Sequence, residues 1–232
     1  MQKEIRLINV KVLTRQNIGG NNMTAPFLTV VDLRLIEQQV NKILKAKLTS
    51  NDQKIVAAVR ELAITELRER LTHVDEDIIK EVETIEDTIG AELFFQSLKS
   101  YTIPFKSISE QGLQKLFKKD KKLKLPKLET IDWQAISYLS WMDKGTNRQY
   151  IVLEKEGQYT ALRGVVDAHN PIKGVCSICN QHSVVHLFTA TVKGNGDNYT
   201  SYSNYICNDS QLCNQRVSDY DKLQEFVDRN LI

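Results

Sequence analysis

The chain has 232 residues, 41% of them hydrophobic and 26% charged, with a formal net charge of +2; that profile belongs to a globular protein that buries its own core, not to a disordered or disulfide-stapled one. No apolar run reaches the roughly 18 to 20 residues of a membrane span, and the first residues lack the apolar core and small-residue cleavage site of a signal peptide. The expected compartment is therefore the reducing cytoplasm, where clustered cysteines bind metal or do redox chemistry more often than they form disulfides.

In chain order, residues 1–22 read as a translated leader or disordered extension. They end in "IGGNN", a run that a purine-rich ribosome-binding sequence can encode, and Met23 is expected to be the true start. Residues 23–103 read as a helical domain. Val31, Leu35, Val40, Ile43 and Leu44 recur near a 3.6-residue period, and Ile55, Val59, Leu62 and Ile64 continue it through to Leu71. "LTSNDQ" supplies cap-type residues between these two helices. A third helix carries Ile78, Ile79, Val82 and Ile85, and its acidic start, Asp75-Glu76-Asp77, reads as capping rather than acid/base chemistry. A fourth, from about Asp87 to Ser100, is expected to turn Ile89, Leu93, Phe94 and Leu98 inward. Short connections between such helices argue for an antiparallel four-helix bundle.

Pro104 pushes Ile103 out of helical geometry, and a second domain is expected over 104–232. Ser109 is a plausible cap for a short helix in "EQGLQKLFKK". "KLFKKDKKLKLPK" then sets seven lysines against one aspartate. Lys115, Lys118, Lys119, Lys121, Lys122 and Lys124 can serve as a solvated face or as contacts to phosphate or an acidic partner. Beyond Pro126 the pattern changes to strands. "RQYIVLEKEGQYTALRGVV" reads as a hairpin turning at Glu156-Gly157, and "SVVHLFTATVKGNGDNYTSYSNYIC" as a second turning in Gly194-Asn195-Gly196-Asp197. The last segment, "SDYDKLQEFVDRNLI", reads as a helix capped by Ser218, with Tyr220, Leu223, Phe226 or Val227, and Leu231 on one stripe.

All four cysteines, Cys176, Cys179, Cys207 and Cys213, fall in this second domain. Their spacing is Cys-x2-Cys, 27 residues, then Cys-x5-Cys. A lone Cys-x2-Cys suits a redox protein equally well, but two pairs flanking a predicted hairpin can chelate one tetrahedral zinc. Gly174 is expected to permit the turn at the first pair. The order of first pair, hairpin, second pair and helix outlines a treble-clef zinc finger over about 171–232. Four sulfur ligands leave no open position, so the zinc is expected to be structural. A thioredoxin-type site would need a helix start beside a βαβ sheet, and a cysteine nucleophile would need a paired base; His182 and His186 are close in sequence without favouring that role. His182 also remains an alternative to one thiol ligand. No phosphate-binding glycine loop or catalytic constellation occurs elsewhere.

The segments "LQKLFKKDKKLKLP", "NRQYIV", "KGVCSIC" and "YICNDSQLCN", in this order, resemble the FusB/FusC family of fusidic acid resistance proteins. The similarity runs from Met23 onward and is strongest after Pro104. It implies an α+β chain, with an N-terminal four-helix bundle followed by an α/β domain carrying a four-cysteine treble-clef zinc finger. It further implies a non-enzymatic cytoplasmic monomer that binds elongation factor G and promotes its release from the ribosome, including when fusidic acid has stalled it. By motif, the family's contact surface falls at Lys173, Val175, Tyr202, Tyr205 and Phe226. Val175 stands where an aromatic is familiar, and Tyr202 where a lysine is. The alternative reading is a zinc-containing RNA- or ribosome-binding module that uses the lysines of 115–127 on ribosomal RNA.

Overall fold

The computed structural model describes residues 26–155, 157–193 and 199–231. The expected leader, the start at Met23, Glu156 of the first turn and Gly194–Asp197 of the second lie outside them.

Four helices form the N-terminal lobe: α1 (Val30–Thr49), α2 (Gln53–Arg70), α3 (Glu76–Thr84) and α4 (Thr88–Lys99). Each begins on an oxygen-bearing side chain that takes up otherwise unpaired backbone N–H groups. Thr29 and Asp32 make a reciprocal capping box on α1, and Asp52, Asp75 and Asp87 cap the next three. The core runs from Leu28 through Ile36, Leu67, Val82 and Phe94 to Leu98. Beyond α4 the chain closes on the start of the lobe, where Ile103 N donates to Leu28 O at 2.6 Å.

Two expected inward stripes are corrected. Ile55 and Leu62 on α2 are 51% and 70% exposed, and Ile89 and Leu93 on α4 are 72% and 57% exposed. The expected Ile64, Phe94 and Leu98 do face the core, joined there by Val56, Ala63, Leu67 and Ala91. Two apolar stripes compete on α2. The one through Ile55 and Leu62 runs into Glu66, whereas the other continues through Leu67 to the buried Leu71 and gains an extra turn of packing.

The C-terminal lobe is one antiparallel sheet with helices on both faces. Its elements are α5 (Glu110–Leu116), β1 (Leu139–Asp143), β2 (Arg148–Lys155), β3 (Gln158–Val166), β4 (Ile172–Val175), β5 (His182–Lys193), β6 (Tyr199–Cys207), α6 (Ser210–Asn214) and α7 (Tyr220–Arg229). β1 pairs with β2 and β2 with β3. β6 runs along one edge of β5; on the other edge, β3 meets the middle of β5 and β4 its start. Strands β1 and β4 were not expected from the sequence, since both are short and lack clear alternation.

Strand alternation sends Tyr150 and Val152 of β2 to one side of the sheet and Ile151 and Leu153 to the other. On the first side they join Phe105, Leu113 and Phe117 under α5. There Trp141 stacks on Tyr150, and the Phe117 ring meets both edge-on. On the second side Ile151, Leu153 and Leu162 pack with Phe188, the cysteines and Leu223, Phe226 and Val227 of α7. Asp219, not Ser218, caps α7, accepting from Lys222 N. The Ser218 hydroxyl donates to Gln38 of α1 instead, at 2.8 Å. Leu231, expected on the inner stripe, is 40% exposed beyond the end of α7.

The lobes touch through this same corner. Arg70 donates to Ser218 O at 2.7 Å and pairs with Asp219, while Val31 of α1 is buried in the core of the C-terminal lobe. A cleft of about 480 Å³ beside the contact is lined by Asp32, Arg70, His73 and Asp219, with His73 paired to Asp32.

Candidate metal centre and zinc-lobe surface

The site is assembled from three local structures. Between β4 and β5 the chain makes a tight turn in which Asn180 N donates to Cys176 O at 2.8 Å, bringing Cys176 and Cys179 together. Asn180 takes the left-handed φ of 54° that closes this turn. Gly174, expected to serve it, lies in strand β4, where an added Cβ would sit 3.1 Å from Val185; its small size serves strand packing. Cys207 ends β6, and Cys213 lies in α6, which Asp209 caps through the N–H groups of Gln211 and Leu212.

All four sulfurs are buried and unbridged, and they lie within 4.8 Å of one another. Cys176 and Cys213 sulfurs are 3.7 Å apart, as are those of Cys179 and Cys207. A zinc tetrahedron with bonds of about 2.3 Å has S···S edges of about 3.8 Å, so these residues fit the ion. The backbone N–H groups of Ile178 and Cys207 both point at Cys176 Sγ, at 3.4 and 3.3 Å, the partners a thiolate wants. Hydrogen bonds from the other three sulfurs push Cys176 down, and those to Cys176 push Cys179 and Cys213 up. A central dication lets all four be thiolates at once.

Two residues that sequence reasoning missed support the site. The hydroxyl of Tyr138 is buried beside Cys213; burial first, then that sulfur, push its pKa well above the usual phenol value. Asn214, next in the chain to Cys213, accepts from the backbone N–H groups of Ser137 and Tyr138 at 2.7 and 3.2 Å and donates to Tyr138 O at 3.0 Å. The two segments lie 76 residues apart, so no local pattern could have announced the contact. Asn214→Ala strands two backbone N–H groups, one of them buried, and should cost about 2 to 3 kcal/mol. That is a drop of roughly 5 to 10 °C in thermal midpoint for a chain this long, which scanning calorimetry of the zinc-loaded protein would register.

The expected contact residues do not form one patch. Lys173 and Val175 are exposed on β4, opposite Val184 and His182 of β5. Tyr205 is 43% exposed on β6, and its carbonyl takes the N–H of Ser177 at 2.7 Å, which holds it against the cysteine turn. These three sit at the zinc end of the lobe but not on one face: Tyr205 lies opposite Leu187 and faces the side of Val185, whereas Lys173 and Val175 face the other. Tyr202 lies opposite Ala190, eight residues along β5 from His182, or roughly 25 Å at the usual rise of a strand. It is half-buried and, three residues from Tyr205, faces the other side of the sheet. Phe226 is 4% exposed, its ring 6.0 Å from that of Phe188, so it packs as a core residue. His182 is exposed at the start of β5 and takes no part in the sulfur cluster; among the described residues that cluster consists of the four cysteines. His186 is buried, which pushes its pKa down.

A closed four-thiolate centre that pins a sheet and two helices defines a zinc-stabilised binding module, in which the metal holds a surface in shape. The family described as "Elongation factor G-binding protein, N-terminal" matches residues 27–106, and "FBP C-terminal treble-clef zinc-finger" matches residues 111–229. A solved structure described as the fusidic acid resistance protein FusC matches with a TM-score of 0.76 and 31% sequence identity, over 92% of this chain and 100% of that one. No curated protein sequence matches significantly. The chain belongs to the elongation factor G-binding protein family with a C-terminal treble-clef zinc finger, and the four cysteines hold one structural zinc ion. Among the described residues, no helix is long and apolar enough to cross a membrane.

Proposed function

We propose that this protein binds elongation factor G through the zinc end of its C-terminal lobe and promotes release of the factor from the ribosome, fusidic acid-stalled complexes included. The observation that carries this reading is the set of exposed apolar side chains at the zinc end of the sheet, Val175 and Val184 with Lys173 on one face and Ile172 and Tyr205 on the other, all on strands that lead into or out of the buried cysteine cluster. Apolar side chains kept exposed on a rigid support suit a partner surface, and an aromatic such as Tyr205 is the residue type that anchors one. Family membership supplies the partner's identity. The action is a shift of population with no bond made or broken. A binder that prefers the dissociation-competent form of the factor draws it away from the stalled form, to the extent of its differential affinity. Translation sets the place of action in the cytoplasm, with the protein acting as a monomer.

Titration calorimetry of the zinc-loaded protein with nuclease-treated elongation factor G tests the reading. Tyr205→Ala should weaken binding by about ten-fold or more with zinc content unchanged, whereas Tyr202→Ala should matter little. No detectable binding by the unaltered protein would reject the proposal. Release itself is read by adding the protein to fusidic acid-stalled translation and measuring recovered synthesis.

A further inference from the structure

We propose that the lysine turn after α5 is a phosphate-backbone contact surface for RNA, on a part of the molecule separate from the zinc end. The turn has only one acid of its own, and that acid is turned inward. Asp120, with its side chain 5% exposed, accepts from Arg148 of β2 at 3.0 Å and from Arg163 of β3. Two arginines therefore neutralise the one aspartate and fix the turn to the sheet. Phe117, beside it, is buried against Tyr150 and Trp141. Lys115, Lys118, Lys119, Lys121 and Lys122 are left exposed and make no ion pair among the described residues. Lys124 reaches Asp143 at 3.5 Å, and Asp143 is also engaged by Thr146 and the Gly145 N–H. Glu110, Glu129 and Asp132 flank the turn without pairing to its lysines. A shallow groove of about 560 Å³ lined by Gln111, Gln114, Lys115 and Lys118 runs beside α5.

RNA is favoured over an acidic protein by what the surface lacks. None of the large exposed apolar side chains among the described residues lies between Ile103 and Val165, because the aromatic residues here are stacked into the core under α5. Protein interfaces draw their energy from such anchors, whereas a phosphate backbone needs only positive charge and hydrogen-bond donors. The choice of RNA as the polyanion rests on the elongation factor G reading, since a ribosome-bound factor is surrounded by it. The turn packs over β1 and β2, with β3 and β5 between it and β6, so factor and RNA can be engaged together.

The test uses the full zinc-loaded chain and a fluorescently labelled RNA hairpin, with anisotropy followed from about 50 to about 200 mM salt. Binding should weaken steeply with salt. K118S/K119S/K121S/K122S should reduce affinity by about ten-fold or more and lower the log–log salt slope by about 3. The paired variants K118S/K119S and K121S/K122S should each lose part of both, and titration with elongation factor G should be unchanged in all three. Equal RNA affinity in the quadruple variant overturns the proposal. So does binding of poly-glutamate or phosphatidylserine vesicles as tight as that of RNA, which would mark an acidic-protein or membrane surface. RNA binding without factor binding rejects only the proposed function; factor binding without RNA binding rejects only this surface.

Discussion

Removing the zinc should unfold the C-terminal lobe while leaving α1–α4 helical. The ion is worth on the order of 10 kcal/mol or more to a small zinc fold at neutral pH, as much as the whole stability of a typical domain. The loss cannot stay local, because the sulfurs belong to the same core as Ile151, Leu153 and Leu162 on one face of the central hairpin. Once that side opens, the hairpin keeps only the packing of its other face against α5. Both tryptophans, Trp133 and Trp141, pack in that second layer, so their emission reports on the sheet lobe and not on the bundle. Chelation should shift tryptophan emission to the red and abolish factor binding, with most of the helical signal near 222 nm retained. Cys213→Ser should do the same without chelator. The bundle itself should lose some stability, since Val31 gives up its place in the C-terminal core. Unchanged tryptophan emission in the metal-free protein would show that the ion is not structural.

Gly164→Ala should be among the most damaging single-methyl additions in the chain. A Cβ on Gly164 would lie 2.5 Å from two ring carbons of Phe188 and 2.6 Å from the backbone oxygen of Thr189. Phe188 cannot retreat, being fully buried with Phe226 behind it. Overpacking of this kind costs about 1 to 3 kcal/mol and more when backbone must move, or roughly 2 to 12 °C in midpoint at this chain length. Phe188→Ala alone should cost about 3 to 5 kcal/mol through the cavity it leaves. The double variant should be less destabilised than the sum, because the ring that clashes is the ring removed. It should not fall to the Phe188→Ala value, because Thr189 O remains. Strict additivity by denaturant titration would show that the two residues do not share this space.

The cysteine site was legible in the sequence because a metal centre of this type is written in spacing. Two residues between the first thiols set a turn, and a predicted hairpin brings the second pair back to it. Caps were legible for a similar reason: Asp52, Asp75 and Ser109 act on N–H groups two or three residues away. The left-handed residue of the metal turn was misread, and Asn180 fills the place assigned to Gly174. Strand β4 escaped notice because its pairing with β5 is created by the turn it leads into, not by its own four residues. The contact residues were legible as a list but not as a surface. Counting from a cysteine cannot tell that Tyr202 and Tyr205 face opposite sides of a strand, or that Phe226 is covered by Phe188.

By itself, then, the sequence determined what depends on neighbours along the chain: four helices, two hairpins, a closed set of metal ligands and a run of lysines. Tertiary structure decided what depends on residues far apart. It chose between the two apolar stripes of α2 by which could reach Leu71. It tied Tyr138 to the metal through Asn214. It also drew Asp120 in between Arg148 and Arg163, so that the lysines around it face solvent uncompensated. Burial and charge pairing are properties of three-dimensional neighbourhoods, and a linear pattern carries them only where those neighbours are also near in the chain.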